Sequence, residues 1–328
     1  MKALVTGATG FVGAAIIREL IKDGKEVKVM VRKSSNTSNI DGLDVEKAYG
    51  DIRDKESVKA ALKGCDTFYQ AAALYEFWGP TKKNFYDVNV EGTKSSLEAA
   101  LEHGVGKVVY TSSIAGLGAH GRDFPATEEV PYNLGAGVPH YVTTKYLGQV
   151  EALKMARKGL PVVIVNPATV IGIRDIKPTP SGRIILDVLN KRTPGYMDGG
   201  TNYVDVEDVA RGHILAAARG KVGELYILGN ANMSLLDFYR LVGEVAGMPP
   251  PKLKFPYPAV LATSYLYLLT AGIMKKPPPV TPGMARITSR YMYFDSSKAV
   301  NELGLQLTPI RTTVEKAVNW FRENGYVK

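Results

Sequence analysis

A single cysteine, Cys65, is all the thiol in the chain, so no intramolecular disulfide framework exists and a reducing compartment is expected. Histidine is nearly as scarce: His103, His120, His140 and His213 stand too far apart for metal-ligand spacing, and no metal is expected. Zinc-finger spacings and aromatic RNA-binding motifs are missing, and the basic residues are scattered rather than striped, which argues against nucleic acid despite a formal charge of +9. That charge fits a solvated basic surface, an anionic ligand or an anionic membrane. The first candidate strand follows Met1-Lys2 directly, with no signal segment ahead of it, so a cytoplasmic location is the expectation. Long apolar runs are also scarce. The segment 255–274, flanked by Lys252, Lys254, Lys275 and Lys276, approaches the length of a membrane span, but Pro256, Pro258, Tyr257, Thr263, Ser264, Tyr265 and Tyr267 argue against one. A cap helix over an apolar substrate is the first reading of it, and peripheral contact with a membrane surface the second.

With 45% hydrophobic and 22% charged residues, the 328-residue chain can bury a substantial core. Short runs rich in Val, Ile and Tyr at 3–6, 27–31, 45–49, 67–69, 107–111 and 162–165 alternate with amphipathic segments at 11–22, 55–62, 81–103 and 141–157. That rhythm predicts an α/β fold, a Rossmann-type doubly wound parallel sheet. Beyond Asn166 the rhythm breaks into Pro- and Gly-rich connections between helical stretches, which reads as a smaller, mainly helical C-terminal substrate-binding cap. The expected division is 1–166 as the dinucleotide-binding domain, with 201–230 returning to it, and 167–200 plus 231–328 as the cap.

Thr6-Gly7-Ala8-Thr9-Gly10-Phe11-Val12-Gly13 follows the first strand and opens the first helix, where a dinucleotide's pyrophosphate would meet unpaired N–H groups. Glycines at 7, 10 and 13 permit the tight turn and a close approach of backbone to phosphate. At the end of the second strand the chain reads Val31-Arg32-Lys33-Ser34, with no acid to bond a free ribose hydroxyl pair. Arg32 offers a planar fork for a 2′-phosphate, with Lys33 as a further donor, and the cofactor expected is NADP(H); a solvated basic turn is the rival reading. After the third strand, Asp51 can accept from an adenine amino group while Ile52 covers the ring, or Asp51 can serve the turn alone. Asp54 is a helix N-cap.

Tyr141 and Lys145 stand four residues apart, on one face of a helix, and the ammonium is expected to draw the phenol pKa down toward neutrality. Upstream, Thr111-Ser112-Ser113 ends a strand at the carboxyl edge of the sheet, where Ser113, or its neighbour Ser112, can hold a reacting oxygen. Tyr75, Phe77 and Trp78 follow the fourth strand and either line the pocket mouth or pack.

Taken in order, the glycine turn, Gly50-Asp51, Ala71-Ala72-Ala73, Asn89-Val90-Glu91-Gly92-Thr93, Thr111-Ser112-Ser113, Tyr141 to Lys145 and Asn166-Pro167 resemble the extended short-chain dehydrogenase/reductase superfamily over nearly the whole chain. Val31-Arg32 and Tyr75-Glu76-Phe77-Trp78 are similar to its dihydroflavonol-reductase-like branch, and the run from Arg174 to Arg183 resembles bacterial members labelled hopanoid-associated sugar epimerases. The resemblance implies Tyr141 as general acid or base, Lys145 as its tuner and ribose contact, and Ser113 as the group that polarises the substrate oxygen. It assigns Asn89 to a water-linked proton relay, for which a helix-interior or capping role is the alternative. It places Ala71, Ala72, Ala73 and Pro167 against the cofactor and Asn166 near substrate, and it implies a homodimer. Reversible reduction of a rather apolar ketone or aldehyde by NADPH is the leading expectation. A nucleotide-sugar epimerase is the second; such enzymes usually carry an Arg-Asp pair where this chain has Thr201-Asn202. A non-catalytic NADP-binding protein is the third.

Overall fold

The computed structural model describes residues 2–274 and 278–327, so Met1, Lys328 and the expected flanking pair Lys275 and Lys276 lie outside the described residues. In chain order the first half runs β1 (Lys2–Thr6), α1 (Phe11–Lys22), β2 (Glu26–Val31), β3 (Glu46–Tyr49), α2 (Lys55–Leu62), β4 (Thr67–Gln70), α3 (Lys82–Tyr86), a π-helical turn (Asp87–Glu91), α4 (Gly92–His103), β5 (Lys107–Thr111), α5 (His140–Arg157) and β6 (Val162–Pro167). The strand Leu225–Leu228 pairs beside β6, giving seven strands in the order Leu225–Leu228, β6, β5, β4, β1, β2, β3. All neighbours are parallel.

Every residue of β4 and β6 is buried, as strands covered on both faces require. Ile16 and Ile17 of α1 and Val209 of the helix Val206–Arg219 pack in one apolar layer. Val58 of α2, Leu97 of α4 and Ala152 of α5 pack in another. The chain winds from β1 through β2 to β3, then crosses back to β4 on the other side of β1. The carboxyl ends of β1 and β4 therefore diverge into a crevice, the place where open α/β sheets bind ligands.

The cap has a small sheet of its own. Gly200–Asp205 pairs with Thr169–Ile171, Ala231–Ser234 and Tyr291–Met292. Helices Pro180–Leu189, Leu235–Ala246 and Ile310–Glu323 close over it around Phe238 and Phe321. The segment 201–230 is thus divided between the layers: it begins in the small sheet, and from Val206 onward it joins the large one. Ala299, Leu303 and Leu305 also pack into the large core, where Arg219 holds the Leu303 carbonyl at 2.8 Å.

The single helix expected over 81–103 is interrupted by the π-helical turn, whose extra residue carries Asn89 into the interior. The helix Tyr257–Met274 starts just after Pro256, whose carbonyl accepts from the Ala259 and Val260 N–H groups. Pro258 falls in the first turn, where no intrahelical N–H donor is needed. Among the described residues no helix is long and apolar enough to cross a membrane.

Candidate active site

The glycine turn is built for close approach. Gly7 has φ +69°, and a Cβ there would stand 2.6 Å from the Ala71 carbonyl group, so the turn lies against the chain leaving β4. A Cβ on Gly13 would overlap the Gly7 carbonyl oxygen. Gly10 is the N-cap of α1 and gives it no side-chain cap, so the N–H groups of the first turn, from Phe11 through Gly13, face the crevice without an internal acceptor side chain. These features fit a dinucleotide pyrophosphate. Thr9 completes the turn, and the run Ala71, Ala72, Ala73 leaves β4 on the opposite side with only methyl groups.

Arg32 and Lys33 are exposed at the end of β2, and the Arg32 guanidinium makes no hydrogen bond or ion pair among the described residues. Asp51 sits at the same corner and is already held: Arg53 grips it with Nε at 2.9 Å and Nη2 at 2.7 Å, and the Arg53 N–H adds a bond at 3.0 Å. The Arg53 guanidinium keeps the Asp51 carboxyl below its ordinary range. Ile52 is buried against Gly92 at the start of α4. Arg53 carries no motif in the sequence, and its role is visible only once the turn is folded.

Tyr141 lies in the first turn of α5 among aromatic rings, with Tyr75 at 4.6 Å and Phe77 at 6.3 Å between centroids. Tyr75 and Phe77 also meet edge to face at 5.6 Å. Trp78 stays at the rim, 41% exposed. Burial pushes the Tyr141 phenol up to about 12, with the nearby Ser113 hydroxyl pulling it back. Ser113 Oγ accepts from the Ala115 N–H at 3.2 Å, which leaves its own proton for an oxygen in front of it. Ser112 points elsewhere, donating to Gln149 Oε1 at 2.8 Å, so of the two serines Ser113 is the one beside Tyr141.

Lys145 corrects one expectation. Its Nζ donates to the Thr111 carbonyl at 2.7 Å and lies 5.5 Å from the centre of the Tyr110 ring. Burial draws the ammonium itself down to about 7, and the phenol is not drawn toward neutrality. The physical reason is desolvation: the same apolar surroundings that raise the phenol weaken the cation meant to lower it. Behind Lys145 stands His213, which no local pattern marks. Its Nδ1 meets the Val209 carbonyl at 2.8 Å and its Nε2 the Thr111 hydroxyl at 2.9 Å. Burial lowers the ring to about 4, so Nδ1–H donates to the carbonyl and Thr111 donates to Nε2.

Asn89 is fully employed. Its Oδ1 accepts from the Leu74 N–H at 2.7 Å, and its Nδ2 donates to the Leu74 carbonyl and the Thr144 hydroxyl, each at 3.1 Å. Its amide thus ties the loop carrying Tyr75 and Phe77 to α5. Asn166 lies beneath Ser113 with no exposed surface, donating to the Ser113 carbonyl at 2.9 Å and to Gln149 at 2.7 Å. From there it bears on a substrate only through Ser113. Pro167 ends β6 beside it.

Residues 3–229 match the model of the NAD dependent epimerase/dehydratase family. The chain is 38% identical to a Synechocystis sp. protein provisionally named dihydroflavonol 4-reductase, over 99% of this chain and 95% of the other. It is 33% identical, end to end in both, to sterol demethylase protein B of Methylococcus capsulatus. The crystal structure of gox2253 superposes with a TM-score of 0.89 at 42% identity, covering 99% of each chain.

Proposed function

The chain belongs to the NAD dependent epimerase/dehydratase family, and from that premise we propose that it is an NADP(H)-dependent reductase of a rather apolar ketone or aldehyde. The carrying observation is Tyr141, a phenol held protonated by burial between Tyr75 and Phe77, with Ser113 beside it. A proton donor walled by rings suits a carbonyl on a hydrophobic molecule and does not suit a charged sugar nucleotide. The names of the two relatives, a reductase and a sterol-processing protein, support the same class of substrate.

The glycine turn and the α1 N-terminus would hold the pyrophosphate, Arg32 and Lys33 the 2′-phosphate, and Tyr141 and Lys145 the nicotinamide ribose. When bound, the reduced nicotinamide supplies a hydride to the carbonyl carbon. Ser113 donates its hydroxyl proton in a hydrogen bond to the carbonyl oxygen, and Tyr141 delivers the proton that oxygen acquires. The resulting phenolate is a strong base in this environment, and Lys145, one turn along the same helix, is the cationic group that would stabilise it.

Asn202 weighs against nucleotide-sugar epimerisation. It is buried, donating to Asn232 at 2.9 Å and accepting from the Asn230 N–H at 2.8 Å, so the position is committed to the small sheet and offers nothing to a diphosphate. Purified protein mixed with NADPH and apolar ketones or aldehydes is expected to consume reduced-nicotinamide absorbance in proportion to alcohol formed. Isomerisation of a nucleotide sugar with no net loss of that absorbance would instead establish the epimerase.

A further inference from the structure

From Val245 to Phe294 the chain contains no Asp or Glu, although the whole sequence averages one acid in about ten residues, while Lys252, Lys254, Lys275, Lys276, Arg286 and Arg290 all fall inside that stretch. The same stretch holds the most exposed apolar surface of the cap. Leu269 is 71% exposed, Leu266 62%, Leu253 60% and Phe255 36%. The helix Tyr257–Met274 buries Ser264 and Ala271 and half-buries Val260 and Leu268, one face at helical spacing, and shows apolar side chains elsewhere around its circumference. A globular surface helix would put charge on that outer side.

We propose that this surface docks the protein peripherally on an anionic lipid bilayer, the leucines and Phe255 entering the interfacial layer while the basic residues meet headgroup phosphates. Lys252 and Arg290 are exposed in this stretch and Lys254 is paired with Asp198 at 3.0 Å, an excess of basic over acidic side chains that is complementary to a negatively charged lipid surface. A second copy of the chain fits less well, because a two-fold contact would set the same basic rim against itself. The helix has a fixed relation to the catalytic element. Arg286 bridges the Tyr265 hydroxyl at 2.6 Å and the Gly137 carbonyl at 3.1 Å, and a Cβ on Gly283 would stand 3.1 Å from the Pro139 nitrogen. Pro139 is the N-cap of α5, two residues before Tyr141. A bilayer bound at this helix therefore lies on the side from which the Tyr141 helix begins.

Vesicle binding is read without substrate or cofactor, so its outcome stands apart from the reductase reading. The full chain is floated with phosphatidylcholine vesicles and with the same vesicles containing phosphatidylglycerol. Co-flotation with the anionic vesicles is expected, weakened by salt, and reduced about tenfold or more in Leu253→Glu/Leu269→Glu, whose fold is checked by thermal melting. Lys252→Glu/Arg290→Glu, which leaves the apolar surface intact, is expected to lose several-fold of the binding to anionic vesicles and none of any residual binding to the neutral ones. The proposal is overturned if the wild-type chain ignores anionic vesicles, if both double variants float as it does, or if the leucine variant merely turns a dimer into a monomer with no vesicle binding in either.

Discussion

Tyr141 and Lys145 make opposite demands on pH. The phenol, raised to about 12, stays protonated throughout the neutral range and is ready to donate, whereas its use as a base for alcohol oxidation requires ionisation against burial. The buried ammonium, lowered to about 7, carries its charge below that pH and loses it above. Because that charge stabilises the phenolate left after donation, kcat/KM for reduction is expected to fall as pH rises through about 7, and the fall is expected to vanish in Lys145→Met, which is slow at every pH. Tyr141→Phe should lower kcat by roughly 10²- to 10⁴-fold while the protein still binds NADPH. A Tyr141→Phe enzyme that turns over normally would remove Tyr141 from the mechanism. At Arg32 the expectation concerns the cofactor alone: Arg32→Ala should weaken NADPH by about ten- to a hundredfold, the loss of charge-assisted bonds to one phosphate, and leave NADH unchanged. Fluorescence titration with both nucleotides decides it, and equal weakening of the two would point to a general folding defect at the turn. Tyr141, Ser113 and Lys145 were legible because a four-residue spacing and a strand end place them by local geometry. His213 and Arg53 were not: His213 meets Thr111 across 102 residues of sequence, and Arg53 becomes a partner of Asp51 only in the folded turn.

One helical turn of the wrong pitch decides where the aromatic loop sits. A continuous helix over 81–103 satisfies the apolar periodicity equally well, which is why the π-helical turn Asp87–Glu91 leaves no trace in the pattern. Its consequence is structural: Asn89 enters the interior and pairs with both backbone groups of Leu74. Asn89→Leu keeps the branched shape but leaves those two groups without their partner, a cost of about 1–3 kcal/mol for each group left unsatisfied. The loop bearing Tyr75 and Phe77 should then loosen, raising KM for the carbonyl substrate while the dissociation constant for NADPH holds. A loss confined to kcat would instead place Asn89 in proton transfer. The same limit of periodicity applies to Tyr257–Met274. Apolar on nearly all sides, its sequence marks a helix without saying which face is covered, and the contacts at Ser264 and Ala271 supply that.

Threading binds the two layers of the molecule together, and each layer holds a buried titratable group. The βα rhythm of the first half foretold the parallel sheet, since each unit is local, but which late segments rejoin that sheet depends on contacts between distant residues and is absent from any window of sequence. His213 is such a joint, tying the helix Val206–Arg219 to β5, whereas Asp175 is a local one inside the cap, buried beside the helix Pro180–Leu189 and bonded by the Thr179 N–H at 2.9 Å. Burial lowers His213 from 6.5 to about 4 in the folded state, so between those values the unfolded chain binds the extra proton, and the stability His213 contributes above pH 6.5 is lost as pH falls toward 4. Burial raises Asp175 from 3.8 to about 6, the opposite sense: its contribution is complete below 3.8 and is lost as pH rises through 6. Each shift corresponds to about 3 kcal/mol at full extent, so in the intact protein the two nearly offset one another across pH 4–6. Urea unfolding over that interval should therefore separate the single variants in opposite directions. His213→Gln should hold its stability better than the wild type as the solution is acidified, and Asp175→Asn should lose stability faster. If both variants track the wild type, the joints are solvated enough to titrate as free side chains, and the acid response of the fold belongs to its surface carboxylates.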